Sequence, residues 1–183
     1  HALDYDDTHF AHVGHPSVAV LPAALATAED RGLSAAALRD AFLVGAEASI
    51  RLGVVLGQRH YDHGFHQTAT AGCFGASVAA GRLLDLGPQR LRMALSLAST
   101  RASGLKAQFG TMGKPYNAGI AAANGVEAAL LAERGFISCD DGLGAAQGFL
   151  ATHAATAADW PAADGFLFED IKHKFHACCH GTH

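Results

Sequence analysis

Four short polar segments interrupt an alanine-rich chain, and their side chains are of the kinds that move protons and hold carboxylates. The first runs from Asp4 through Asp6, Asp7 and Thr8 to His15-Pro16-Ser17. The second is Gly64-Phe65-His66-Gln67-Thr68, the third spans Gly110 to Gly119 around Lys114-Pro115, and the last runs from Lys174 to Thr182-His183. Three of them share a layout. His15 precedes Pro16, His66 precedes Thr68 and Lys114 precedes Pro115, each at an expected helix start. A helix N-terminus offers unpaired N–H groups and a partial positive charge, which attract an anion and keep a nearby imidazole neutral. Lys114 adds a full charge for a carboxylate. Three such ends meeting would form a receptor for a small polycarboxylate, on a chain whose net charge is −4.

Each of these residues also has a structural reading. Asp4, Asp6 and Asp7 can cap helices, His66 can be a satisfied loop histidine, and Lys114 can be a solvated lysine beside a glycine turn. No metal is expected. Gly14 and Pro16 break up any ligand pair of His12 and His15, and His176, Cys178, Cys179, His180 and His183 lack the paired spacing of zinc modules.

The elements that must position these groups read as helices. Pro16 opens one through Val18, Val20, Leu21 and Leu25, with Pro22 shifting its start or kinking it. Gly32-Leu33-Ser34 is a stop and a cap, before Leu38, Phe42, Val44, Ile50 and Leu52 at roughly helical spacing. Thr68 or Thr70 is expected to cap the next helix, which ends near Gly87-Pro88. A short helix over 90–99 follows, then one opened by Pro115 and stopped by Gly135. A strand is expected over 166–175, where polar and apolar residues partly alternate, and with it a second domain beginning near Asp164. The many small residues, among them Gly72, Gly75 and Gly119, are expected to let helices pack closely.

Composition removes several classes. Half of the residues are hydrophobic and 16% are charged, so the chain is not a disordered one. No basic run exists for nucleic acid, and no apolar stretch reaches membrane-spanning length. The cysteines at 73, 139, 178 and 179 form no disulfide framework, which points to a reducing, cytoplasmic setting. The chain starts without methionine inside a polar segment and stops at His183, and is expected to be part of a longer protein.

Taken together, the four segments resemble the MmgE/PrpD family, which includes 2-methylcitrate dehydratase, cis-aconitate decarboxylase and iminodisuccinate epimerase. The resemblance rests on Asp4 to Thr8, His15-Pro16-Ser17, Gly64-Phe65-His66, the run from Gly113-Lys114-Pro115 to Asn124-Gly125, and Lys174 with Thr182-His183, in that order. It implies an all-α helical domain over residues 1–163, then the start of a small α+β lid domain over 164–183. It implies a homodimer with neither metal nor organic cofactor, acting on a small di- or tricarboxylate. The resemblance assigns the active site to Asp4, Thr8, His15, His66, Lys114 and Lys174. His15 and His66 are the implied acid–base pair, in either order. Lys114 and Lys174 would hold substrate carboxylates and stabilise charge on the aci-carboxylate. Asp4 would orient a histidine or accept a substrate hydroxyl, and Thr8 would bind substrate or backbone. Lys172 lies near the expected lysine too, but Lys174 keeps the spacing to Thr182-His183. Dehydration of 2-methylcitrate is the leading expectation, with decarboxylation or epimerisation on the same residues as the alternative. Two readings from other classes are a metal-dependent hydrolase using the histidines and amino-terminal aspartates, and a non-catalytic helical module.

Overall fold

The computed structural model describes residues 5–154 and 159–173. Asp4 and Lys174, and the Cys178-Cys179-His180 run, lie outside the described residues. Among the described residues six helices carry the fold: α1 (Pro16–Asp30), α2 (Ala35–Asp62), α3 (Gln67–Leu83), α4 (Pro88–Arg101), α5 (Gly113–Glu133) and the short α6 (Phe149–His153). Single 3₁₀ turns occupy Lys106–Gln108 and Leu167–Asp170. The expected all-α fold is the one found.

Helix α3 is the centre, packed by α1, α2, α4 and α5 and buried on nearly every side. Its sequence explains why. Glycine, alanine, serine and threonine fill the helix, so neighbouring backbones come close. A Cβ placed on Gly75 would sit 2.6 Å from the Gly45 carbonyl of α2, and one on Gly125 of α5 would sit 2.7 Å from the Cys73 carbonyl. Larger apolar side chains fill the spaces left between helices: Val20 with Leu83 on one side, Leu52, Leu56 and Phe74 with Phe149 on the other. Each such side chain contributes about 1.5–3 kcal/mol by leaving water.

The helix boundaries follow local chemistry. Ser34 accepts the Ala37 N–H at 3.2 Å and caps α2, as its position suggested. Pro22 sits inside α1 without ending it. Helix α4 is longer than the 90–99 reading at both ends, and α5 begins two residues before Pro115, so Lys114 lies within its first turn. Neither Thr68 nor Thr70 caps α3, whose N-cap residue is His66 and has no side-chain cap. Both hydroxyls turn to other partners: Thr68 to the His15 backbone, Thr70 to the ring of His60.

Gly57 breaks the helical path of α2 with φ +66° and ψ −178°. Only glycine takes that conformation without strain, and it re-aims the last turn, which carries Gln58 and Tyr61. The strand expected over 166–175 is not found across its described part. Residues 167–170 form a 3₁₀ turn, because the buried carboxylate of Glu47 accepts the N–H groups of Leu167 and Phe168 that a strand would pair elsewhere. Among the described residues, β pairing is limited to isolated bridges: Thr8 with Lys172, His9 with Gly14, and Phe65 with Leu105. No helix of the described residues is long and apolar enough to cross a membrane.

Candidate active site

The amino-terminal segment reaches the helices through Asp7. Its carboxylate accepts the Ser17 N–H at 3.2 Å and the Ser17 hydroxyl at 2.7 Å, filling the N-terminus of α1. Asp7 is therefore a capping residue, as one reading of the acidic run had it. The capping fixes the segment beside His15, the residue immediately before α1.

Three groups meet the Nδ1 of His15. The Asp7 backbone carbonyl accepts from it at 2.7 Å, the Thr8 hydroxyl lies at 3.3 Å, and an Asp6 carboxylate oxygen lies at 3.3 Å. A carbonyl can only accept, so Nδ1 carries a proton. The backbone N–H of His15 donates to Thr68 Oγ1 at 3.1 Å, which ties the start of α1 to the first turn of α3. Between these contacts the chain makes a tight loop over His9 to Gly14, in which Val13 holds φ +54°. A β-branched residue in that region is strained, and Val13 lines the cavity described below.

His66 enters from the other side. Its loop pairs with the segment after α4: the His66 N–H donates to the Gly104 carbonyl at 2.9 Å and the Lys106 N–H to the Gly64 carbonyl at 2.8 Å. The ring is 2% exposed, with the Phe109 ring edge-on at 4.9 Å and Asn117 Nδ2 donating to its Nδ1 at 3.2 Å. Burial first, then the neighbouring His15 and Lys114, push its pKa down to about 4, with Asp6 acting the other way. His66 is thus a neutral imidazole at physiological pH.

These groups border a cavity of about 290 Å³, lined by Thr8, His15, His66 and Thr68 and closed by Gln58 and Tyr61 from beyond the Gly57 kink. Lys114 stands outside that lining. Its ammonium lies 5.4 Å from the Phe109 ring that packs edge-on against His66, and its charge reaches the imidazole. A larger cavity of about 480 Å³, against Ser99, Cys139, Asp141 and His153, shares no lining residue with the first.

So Thr8, His15 and His66 are brought together, Lys114 stands at one remove, and Asp4 and Lys174 fall outside the described residues. Lys172 pairs its backbone with Thr8 in both directions, at 2.9 and 2.8 Å. Asp6, Thr68, Tyr61 and Asn117 were not among the expected site residues. Asn117 had a visible signal, one helical turn after Lys114 in the same polar segment; Tyr61 had none. Among the described residues no three His, Cys, Asp or Glu side chains are grouped to hold a metal ion.

Two comparisons bear on this arrangement. The model of the MmgE/PrpD N-terminal domain matches residues 1–160. Cis-aconitate decarboxylase of Aspergillus terreus is 35% identical over 142 residues, covering 74% of this chain and 29% of the relative. The Homo sapiens protein of that name is 36% identical over 140 residues, with 74% and 29% covered. The Mus musculus one is 32% identical over 193 residues, covering all of this chain and 39% of the relative. The chain thus spans between 29% and 39% of the length of these relatives. The helical fold, the histidines at two helix starts and a family match over most of the chain agree: the chain belongs to the MmgE/PrpD family.

Proposed function

We propose that the full-length protein is a lyase acting on a small tricarboxylate, without a metal or organic cofactor. The observation that carries this reading is the opposite hydrogen bonding of two histidines on one cavity. His15 donates from Nδ1 to the Asp7 carbonyl, so Nε2 is the nitrogen that gains or gives up a proton. His66 accepts at Nδ1 from Asn117 and carries its proton on Nε2. One ring therefore exchanges a proton and the other donates a hydrogen bond while staying neutral.

The names of the relatives support decarboxylation of cis-aconitate as the first reaction to test. The bond between carbon and one carboxylate breaks, carbon dioxide leaves, and the electron pair passes into the conjugated system of the remaining acid. His15, having taken a second proton from solvent on Nε2, then delivers that proton to carbon and returns to its neutral form. When its ring carries two protons, the Asp6 carboxylate 3.3 Å away forms an ion pair with it. His66 Nε2–H stabilises charge on the carboxylate oxygen as it develops, the role of a neutral imidazole electrophile. Dehydration of 2-methylcitrate would use the same pair in the other direction, His15 removing the proton beside a carboxylate while hydroxide leaves.

Lys114 and Lys174 hold substrate carboxylates in this reading, Thr8 binds substrate, and Asp4 assists a histidine. The backbone pairing of Thr8 with Lys172, two positions before Lys174, supports that role for Lys174. A second domain beginning near residue 164, a homodimer and a cytoplasmic setting belong to the same proposal.

The test is proton NMR of the full-length protein in D₂O with cis-aconitate, 2-methylcitrate, citrate and iminodisuccinate, with and without EDTA. The expected outcome is conversion of cis-aconitate with deuterium incorporated at carbon, unchanged by chelator. Silence across the panel overturns the reading, and activity abolished by EDTA replaces it with metal-dependent chemistry.

A further inference from the structure

Asn117 lies in the second turn of α5, 7% exposed, between the two loops that carry His66 and Leu105. Its Nδ2 is 3.2 Å from the Leu105 carbonyl and 3.2 Å from His66 Nδ1. A carbonyl oxygen can only accept. Turning the amide over would set Oδ1 against that carbonyl, two acceptors facing each other in a buried place. The Leu105 carbonyl therefore fixes which end of the amide points at His66. With an NH₂ group facing it, His66 Nδ1 must present a lone pair, and the single proton of the neutral ring goes to Nε2. Other contacts leave the ring little freedom to turn away: the His66 N–H is held by the Gly104 carbonyl and Phe109 packs edge-on against the ring.

We infer that Asn117 is a positioning residue that sets the tautomer of His66, and so decides which of the two cavity histidines donates and which accepts. Its consequence for turnover rests on the lyase reading; its effect on the ring does not. The contrast with His15 makes the assignment specific. There a backbone carbonyl selects the Nδ1–H form, here an amide donor selects the Nε2–H form. If Asn117 served only to satisfy the Leu105 carbonyl, the state of His66 would not depend on it.

The variant that separates these roles is Asn117→Asp, which keeps the shape and replaces the donor by an acceptor. A carboxylate at this position draws the ring proton to Nδ1. It also favours the imidazolium, against the His15 and Lys114 charges that disfavour it and with the Asp6 charge that favours it.

The readout is the ¹H–¹⁵N long-range spectrum of histidine-labelled full-length protein, with the His66 signals assigned from His66→Gln. The wild type should show Nε2–H and no titration of His66 between about pH 5 and 8. Asn117→Asp should show Nδ1–H or the imidazolium, and Asn117→Ala a mixture of tautomers; either variant suffices if the other fails to fold. On cis-aconitate, kcat should fall on the order of tenfold or more in the folded variant, with KM within about twofold. A wild-type ring protonated at Nδ1, a folded variant with the wild-type ring state, or a changed ring with unchanged kcat would each overturn the inference. Expected ring states in a protein that turns over none of the acids would remove the lyase reading and leave the tautomer control standing.

Discussion

The buried carboxylate of Glu47 holds Leu167 from 120 residues away, its Oε1 accepting the Leu167 N–H at 3.1 Å. Its other oxygen accepts the Phe168 N–H at 2.9 Å, and Arg51, paired with it at 2.7 Å, donates to the carbonyls of Pro161, Ala162 and Gly165. One ion pair on α2 thus gathers the whole strap from 161 to 168. His9 adds a second point: its Nδ1 accepts the His12 N–H, so its Nε2–H donates to the Leu167 carbonyl at 2.9 Å.

Glu47→Ala leaves Arg51 half-buried without its partner and frees two amides of the strap. Removing one member of a buried pair typically costs about 3–5 kcal/mol, and the partial exposure of Arg51 puts this case at the low end. Urea unfolding should show that loss, and the Leu167 and Phe168 amides should exchange faster. Unchanged exchange at those two amides would mean that the strap is held by something other than Glu47.

Buried histidines make stability depend on pH, His12 and His66 most of all. Burial pushes His12 down to about 3 and His66 to about 4, whereas both sit near their ordinary value in the unfolded chain. Below about pH 6.5 the unfolded chain takes up protons that the folded one refuses, so stability is complete above that pH and is lost as pH falls towards 4. The slope approaches about 1.4 kcal/mol per pH unit for each histidine. Melting temperatures between pH 7.5 and 4.5 should fall steeply, and less so in His12→Gln. A flat profile would contradict the burial of these rings as neutral groups.

The cavity histidines should differ in how much activity their loss removes. On the proposed function His15→Ala deletes the proton carrier, and general acid–base losses run about 10²–10⁴-fold in kcat. His66→Gln keeps a neutral donor near Nε2 and should retain more activity than His66→Ala, whose loss should be about 10²–10³-fold. If His66→Gln is as inactive as His15→Ala, His66 moves a proton itself.

Glycines at two positions should respond oppositely to alanine. A Cβ at Gly53 would lie 1.8 Å from His12 Nδ1, so Gly53→Ala must push the ring and the loop before His15, costing about 1–3 kcal/mol and lowering activity. Nothing lies within 4 Å of a Cβ at Gly119 inside α5, so Gly119→Ala should gain about 0.5–1 kcal/mol of helix stability. Thermal melts of the pair check both signs.

How far the sequence could be read depended on whether the controlling contact was local. His15 before Pro16 and Ser34 before its helix are local facts, and both stand at helix starts as their neighbours dictated. Thr68 looked like a cap because a hydroxyl near a helix start usually is one; its actual donor, the His15 N–H, lies 53 residues away. The span 166–175 alternated like a strand, but in its described part Phe168 packs edge-on against Phe42 and the Leu167 and Phe168 amides go to Glu47, neither of which periodicity can show. Gly57 sits in a run with helical spacing on both sides, so its kink, and with it the arrival of Tyr61 at the cavity, was silent. Asn117 was conspicuous as a polar residue, yet its meaning depends on Leu105 across a loop.

The meeting of Gly45 and Gly75 separates what this molecule can vary from what it must inherit. A methyl group at either has nowhere to go, so the helix that carries the residues after His66 is frozen against its neighbours. Phe10 and Gln58, by contrast, border the same cavity while standing in solvent. On the proposed function, exchanges at that rim should alter substrate preference while leaving the packing behind the two histidines in place.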